Sequence, residues 1–342
     1  MKAVRFSAPE TVAIAEVSPR SVGAGEVMVA VDLCGICGTD LELFHGTMPY
    51  VQQGLSSYPL IPGHEWCGEV IAVGTGVSDT LIGQHIVGET VIGCGYCNFC
   101  QSGSPVLCPD RQEIGILGRA GALAEYTTVP VDSIHVIKAQ VNHQDAALIE
   151  PLAVSLNAIR LMNIGPCDRV IIVGLGTIGA MTAAVAKLSG ARITALDPNP
   201  ARAVIAERVG CDDFWSQSEI PLAGQNSFTL SFETSGNPGA LEQCLSAMEP
   251  GGRIGILGIA PIPEKISSML IATKCLIMQG FIGSSKVWPE AIQLVETNRI
   301  RPADILDLQV SPLTAVPRII SEWDHGQNRG IKHLIHLRST EV

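Results

Sequence analysis

The sequence predicts an α/β protein with a mostly β first domain and a second domain built on a doubly wound parallel sheet. Three observations carry that prediction. At 342 residues the chain is long for one hydrophobic core and suits two. Its first part is a series of short β patterns separated by turn residues. From residue 144 onward, short apolar runs alternate with segments of helical apolar spacing, the pattern of a parallel sheet covered on both faces.

In the first part, Glu26–Leu33 (EVMVAVDL), Gly68–Val73 (GEVIAV) and Ala124–Val129 (AEYTTV) read as strands, with turn signals such as Val73-Gly74-Thr75-Gly76 between them. Gln144–Leu161 has helical spacing interrupted by Pro151. Strands are then expected at Arg169–Val173, Ala191–Asp197, Ser227–Glu233, Gly252–Leu257 and Cys275–Gly280. Helices are expected at Thr177–Leu188, Ala201–Val209, Ala240–Met248 and Val287–Thr297. Asp212–Asn226 has no clear period, and its boundaries stay open. Ile331–Leu337 reads as a last strand that can return to the first domain.

Composition narrows the function. Apolar residues make up 46% of the chain and charged residues 16%, so a sizeable core can form. The net charge of −11 argues against nucleic acid or an acidic membrane as the main partner. No apolar run reaches the length of a membrane span, and MKAVRFSAPE has no signal-peptide pattern. A cytoplasmic enzyme is the expectation. Eleven cysteines, an odd number, do not resemble a secreted disulfide framework; closely spaced, they read as metal ligands.

Arg169–Gly179 (RVIIVGLGTIG) carries a cofactor signal. A buried strand runs into Gly174 and Gly176, then Thr177, Ile178 and Gly179 open a helix. The glycines allow a tight turn and close approach to a pyrophosphate, which then faces free N–H groups at the helix start. Asp197 ends the next strand, 21 residues after Gly176. Its carboxylate can accept ribose hydroxyls and would repel a 2′-phosphate, which favours NAD over NADP. Arg202 stands where it can reach the ribose or phosphate edge, which argues the other way.

Two sets of metal-ligand residues stand out. Cys37 in GICGTD, His64 in PGHEWCGE and Glu150 in IEPL supply thiolate, imidazole and carboxylate, and three protein ligands with an open position make a catalytic zinc site. Glu65, beside His64, is a fourth ligand or a supporting group. Alone, each of these residues reads as an ordinary core or surface group; the combination with a dinucleotide signal lifts the metal reading. Within 93–110, Cys94, Cys97, Cys100 and Cys108 are spaced Cys-x₂-Cys-x₂-Cys-x₇-Cys and can close a tetrahedral zinc shell completely, leaving no place for substrate. A Cys94–Cys97 redox pair leaves two cysteines unexplained, and nothing in the chain calls for an iron–sulfur cluster.

These motifs together resemble the zinc-dependent medium-chain alcohol and polyol dehydrogenases over nearly the whole chain. The resemblance implies a GroES-like, mostly β catalytic domain over 1–143, carrying a structural-zinc loop at 93–110. It implies a Rossmann-type NAD-binding domain over 144–285. The segment 286–342 would complete that domain and return to the first. GHE implies zinc-site roles for His64 and Glu65, and CG(S/T)D implies a zinc cysteine and a hydroxyl at Cys37 and Thr39. IEPL resembles the sorbitol dehydrogenase branch, in which Glu150 is the third ligand. The four close cysteines would bind a second, structural zinc. Thr39 would hydrogen-bond the substrate hydroxyl and take its proton, with a hydride passing to C4 of the nicotinamide. In this family a histidine often follows the hydroxyl residue by three positions to relay the proton. Here that position is Glu42, which also counts against L-threonine as substrate. Nearby His45 reads as a solvated turn residue.

PGHEW, GSPVLCPDRQEIG, EYTTVPVD and EPLAVSLNA resemble a narrower group, the 2-deoxy-scyllo-inosamine dehydrogenases of aminoglycoside antibiotic biosynthesis. That resemblance implies an aminocyclitol substrate, which acidic Glu42 suits electrostatically. Alternatives are a sorbitol, idonate or butanediol type of sugar-alcohol dehydrogenase, or an L-threonine 3-dehydrogenase. A zinc-free quinone reductase-like or non-enzymatic relative would not need both ligand sets. Trp66 and Trp288 are candidates for rings lining the substrate site. A homodimer or homotetramer is expected, with Cys275–Ile282 able to join sheets between subunits.

Overall fold

A computed structural model describes residues 1–260, 262–284, 286–325 and 332–338. The chain forms two compact units. The first comprises residues 1–150, 283–303 and 307–342, and the second 151–282 with 304–306. The sequence reading instead divides the chain after residue 143 and assigns 286–342 first to the cofactor domain. The helix Trp288–Glu296 packs in the first unit: Trp288 stacks on His135, and Glu296 accepts the Lys138 N–H and pairs with its ammonium.

The first unit is mostly β. A seven-stranded sheet runs in the order Ile134–Val136, His85–Gly88, Glu65–Val73, Glu26–Gly35, Lys332–His336, Leu308–Pro312, and Tyr126–Pro130 also pairs with Glu26–Gly35. Glu26–Gly35 is the hub. It is almost entirely buried, and its backbone pairs with strands along both edges. The last strand, Lys332–His336, pairs antiparallel with it; Ile331 of the predicted strand lies outside the described residues. The core beneath gathers Val27, Val29, Val31, Ile36, Leu43, Trp66, Ile86 and Leu123. Gln144–Leu161 is two helices, His143–Ala147 and Ile149–Leu161. Pro151 falls in the first turn of the second, where its missing N–H costs nothing, so the break comes before it, at Leu148.

The second unit holds a six-stranded, all-parallel sheet in the order Asp213–Trp215, Arg192–Leu196, Arg169–Val173, Phe228–Glu233, Met248–Ile256, Ile277–Gly280. Counted along the chain this is 3-2-1-4-5-6, the doubly wound order that reverses between Arg169–Val173 and Phe228–Glu233. Asp213–Trp215 lies in the stretch whose sequence shows no period. It is three residues long, and parallel pairing with Arg192–Leu196 defines it rather than any local pattern. Among the described residues no helix is long and apolar enough to cross a membrane.

Candidate metal and cofactor sites

In the first unit the structure brings Cys37, His64 and Glu65 together, with their ligand atoms within 4.8 Å of one another. Cys37 precedes the helix Gly38–His45, and Glu65 begins the strand beside Glu26–Gly35. Asp40 ties these segments. Its Oδ2 accepts the Cys37 N–H at 2.8 Å, its Oδ1 accepts the Gly63 N–H at 3.1 Å, and Oδ1 lies 3.9 Å from His64 Nδ1. Gly63 has φ +98°, and a Cβ there would fall 2.7 Å from Leu123, so only glycine presents His64 in this way. At Gly35 a Cβ would fall 2.2 Å from Glu65 Oε2.

Glu150 is buried but stands outside the close trio. Thr90 Oγ1 donates to Glu150 Oε1 at 2.8 Å. Thr39 is half-buried, with Oγ1 3.9 Å from Cys37 Sγ. Glu42 is three residues further along the same helix, on the Thr39 face. Its Oε2 is buried and has no hydrogen-bond partner. His45 closes the helix, half-buried, with Nδ1 4.0 Å from Glu10 Oε1. Trp66 and Trp288 are core residues, each 1% exposed, rather than rings of a substrate site. A Cβ at Gly88 would fall 2.1 Å from the Trp66 ring, so that glycine makes room for the indole.

Three polar groups here escape the sequence reading. Asp40 sits inside GICGTD, where the hydroxyl and cysteine draw attention first. Thr90 is an ordinary threonine before a strand. Lys332 forms a buried ion pair with Glu65, and its Nζ donates to the Ile36 carbonyl at 2.9 Å. A lysine inside the apolar run IKHLIHL is the only signal the sequence offers for it.

The electrostatics suit a cation. Burial acts to lower the His64 pKa, but Cys37, Asp40 and Glu150 favour its proton and push it up to about 10. Burial raises the carboxyls of Asp40 and Glu150, with His64 pulling both back. Burial acts against the Lys332 ammonium, but Glu65, Cys37 and Asp40 hold it above the ordinary lysine range. His64 Nδ1 is a buried atom with no hydrogen-bond partner, whereas Glu65 Oε2 is engaged by the Lys332 ammonium. Thiolate, imidazole and carboxylate around one point fit zinc.

The second cluster is Cys94, Cys97, Cys100 and Cys108, whose four sulfurs also lie within 4.8 Å of one another. Backbone donors already aim at them: the Cys94 N–H at Cys108 Sγ, 3.4 Å, and the Cys97 N–H at Cys94 Sγ, 3.4 Å. Partial burial raises the Cys94 thiol, but the N–H groups of Tyr96 and Cys97 outweigh it and bring it down to about 7. Burial and the neighbouring thiols push Cys100 up to about 12. Four thiols whose sulfurs converge in this way can hold a zinc ion that displaces their protons.

In the second unit the glycines of the cofactor turn have separate reasons. Gly174 has φ +93°, and a Cβ there would fall 2.6 Å from Ser235. A Cβ at Gly179 would fall 1.9 Å from the Gly174 carbonyl, so the helix Thr177–Lys187 closes on the strand only with glycine. Gly176 precedes that helix, and Thr177 and Ile178 open it half-buried. Asp197 is held by the Leu175 N–H on Oδ2 at 2.8 Å and by the Asn199 N–H on Oδ1 at 2.9 Å. Arg202 ends the turn Pro200–Arg202, half-buried. Glu233, which the sequence reading does not single out, ends the adjacent strand and fixes the next loop. Its Oε1 accepts the N–H groups of Ser235 and Gly236 and the Ser235 hydroxyl. The crevice at this switch point is where a doubly wound sheet takes a dinucleotide.

Comparison with known proteins agrees with both units. Residues 23–140 match the model of the alcohol dehydrogenase GroES-like domain, and residues 177–297 match that of the zinc-binding dehydrogenases. An L-threonine 3-dehydrogenase of Chelativorans sp. is 32% identical over 310 residues, covering 86% of each chain. An Escherichia coli structure described as a short chain alcohol dehydrogenase with NADH superposes with a TM-score of 0.90 at 27% identity, covering 98% of this chain and 99% of that one. A zinc-binding dehydrogenase from Sinorhizobium meliloti bound to NADP gives 0.87 at 29% identity, covering 98% of both chains. The chain belongs to the zinc-dependent medium-chain alcohol dehydrogenases, and its cofactors are zinc and NAD(P).

Proposed function

We propose that this zinc-dependent dehydrogenase uses NAD to oxidise a secondary alcohol that also carries an amine, an aminocyclitol of the 2-deoxy-scyllo-inosamine kind in aminoglycoside antibiotic biosynthesis. The observation that carries the substrate class is Glu42. Its buried Oε2 has no partner, and it lies one helical turn beyond Thr39, on the helix that Cys37 precedes. An unsatisfied buried carboxylate oxygen is costly unless a donor reaches it, and a substrate ammonium is such a donor. The second reading is L-threonine, also an amine-bearing secondary alcohol; it is favoured by the L-threonine 3-dehydrogenases at 32% identity.

Cys37, His64 and Glu65 are the residues proposed to hold the reactive zinc, with Glu150 as the alternative carboxylate, and the four loop cysteines to hold the structural one. Zinc supplies Lewis acidity toward the substrate oxygen and the nicotinamide supplies a hydride acceptor. The chain's own residues do the rest. Thr39 Oγ1 accepts the substrate hydroxyl's proton while passing its own on toward solvent, and Asp40 and Lys332 hold His64 and Glu65 in place. Asp197 supports NAD, since both its oxygens are fixed where a 2′-phosphate would meet negative charge. A homodimer or homotetramer is part of this reading, supported by the edge strand Ile277–Gly280, where Ile277 is 60% exposed. A cytoplasmic location is too, on the loop-clustered cysteines.

A NAD-coupled screen of aminocyclitols, L-threonine, sorbitol, inositols and butanediol tests the substrate class. Amine-bearing alcohols should give the highest kcat/KM, and Glu42→Gln should raise KM for them by about 10-fold while sparing neutral polyols. Neutral polyols oxidised far faster than any amine would overturn the reading. A uniform drop in kcat in Glu42→Gln would assign Glu42 to the proton path instead.

A further inference from the structure

Asp32, His85 and His143 form a cluster in the first unit that the dehydrogenase reading leaves unused. Asp32 lies on the hub strand Glu26–Gly35, His85 opens the strand His85–Gly88, and His143 opens the helix His143–Ala147. Asp32 Oδ2 is 3.8 Å from His85 Nδ1 and 3.7 Å from His143 Nδ1. All three ligand atoms lie within 4.8 Å of one another, and the two rings are 5.5 Å apart.

Three features point to a ligand between them. Asp32 is 4% exposed, yet its Oδ2 is buried with no hydrogen-bond partner. Its other oxygen pairs with Arg338 Nε at 2.6 Å, and Arg338 Nη2 donates to Glu69 Oε2 at 3.0 Å. Two carboxylates against one guanidinium leave net negative charge, and the guanidinium fixes the Asp32 carboxylate as metal ligands are usually fixed. The two imidazole side chains, 38% and 48% exposed, turn Nδ1 inward and leave a solvent side for a water ligand. Tetrahedral zinc, with bonds of about 2.0–2.2 Å, sets its ligand atoms roughly 3.3–3.6 Å apart. The two separations from Asp32 Oδ2 need to shorten by only a few tenths of an ångström to match.

We propose that Asp32, His85 and His143 bind a further zinc ion, separate from the Cys37 centre and the cysteine loop. Two imidazoles, one carboxylate and water complete its shell. It clips the hub strand to two segments that the chain reaches only much later, and it stabilises the first unit without entering the reaction.

The test uses the holoenzyme with its other zinc sites filled. Wild type and His85→Asn/His143→Gln are dialysed against buffered micromolar zinc, and bound zinc is counted by elemental analysis. Wild type should hold one more equivalent, the variant should lose at least about 10-fold in affinity for it, and turnover should be unchanged. Added zinc should raise the Tm of wild type but not of the variant. The single, half-exposed substitution His143→Gln keeps the test decisive if the double variant folds poorly. Equal zinc content and affinity in wild type and His143→Gln overturn the proposal. So does a cluster that merely gains protons with falling pH, as an ion pair, and never retains zinc.

Discussion

The Cys37 centre and the four-cysteine loop both gather metal-ligand side chains, and they do so by opposite means. The centre is built by the fold. Asp40 is 0% exposed, Glu65 2% and His64 5%, and their supports come from distant segments; Lys332 reaches the Ile36 carbonyl across 296 positions. The loop is built locally, with all four sulfurs inside one stretch and little apolar cover: Tyr96 is 71% exposed, Leu107 56% and Phe99 46%. A site of the first kind keeps its shape when a ligand is removed and loses its chemistry. A site of the second kind has nothing but its metal to hold it, so removing a ligand costs shape.

Activity should separate the two most sharply. His64→Ala should reduce turnover to below about one-thousandth, the scale at which stabilisation of developing charge is lost. The Tm should stay near wild type, and NAD binding should remain measurable by fluorescence titration. Cys94→Ser should act the other way. It should lose one zinc equivalent and several kcal/mol of stability, read as a lowered Tm, while the Cys37 centre keeps its own metal. A His64→Ala variant that unfolds more readily than Cys94→Ser would break the comparison.

Gly35→Ala probes the scaffold of the buried centre with one methyl. The added Cβ would meet Glu65 Oε2 at 2.2 Å, so the carboxylate must move away from Lys332 or the strand must shift. A loss of about 10–100-fold in kcat/KM is expected, the usual cost of disturbing groups that orient metal ligands. Unchanged kinetics would show that Glu65 is not held where the reaction needs it.

The same contrast explains what could be read in the sequence. The cysteine loop and the Gly174–Gly179 turn are legible because their chemistry is local: four ligands at short spacing, or a buried strand, three glycines and a later acid. Cys37, His64 and Glu150 are legible as types, but not the order in which they assemble. The close trio contains Glu65, and Glu150 is held aside by Thr90. Asp40, Thr90, Lys332 and Glu233 are polar groups whose meaning depends on what the sheet brings beside them. Among the elements, the predicted helices of the cofactor domain are found within two residues, while the strands Met248–Ile256 and Glu65–Val73 begin four and three residues before their predicted starts. Asp213–Trp215 and Leu308–Pro312 are not predicted, since only pairing with another strand makes them β.

Asp168 supplies a metal-free control for the claim that a prebuilt network holds its carboxylates. It accepts the Gly165 N–H at 2.8 Å and the Thr229 hydroxyl at 2.7 Å, and it pairs with Arg253. Burial acts to raise its pKa, but Thr229, Gly165 and Arg253 outweigh it and hold it below the ordinary aspartate value of 3.8. The folded pKa is therefore lower than the unfolded one. The carboxylate's contribution is fully present above the unfolded pKa and is lost as pH falls through the folded one. Asp168→Asn should lower stability by about 1–2 kcal/mol at neutral pH, measured by urea unfolding. The gap should narrow as the solution is acidified below the unfolded value. A gap that stays constant down to strong acid would mean that packing, not the held charge, carries Asp168's contribution.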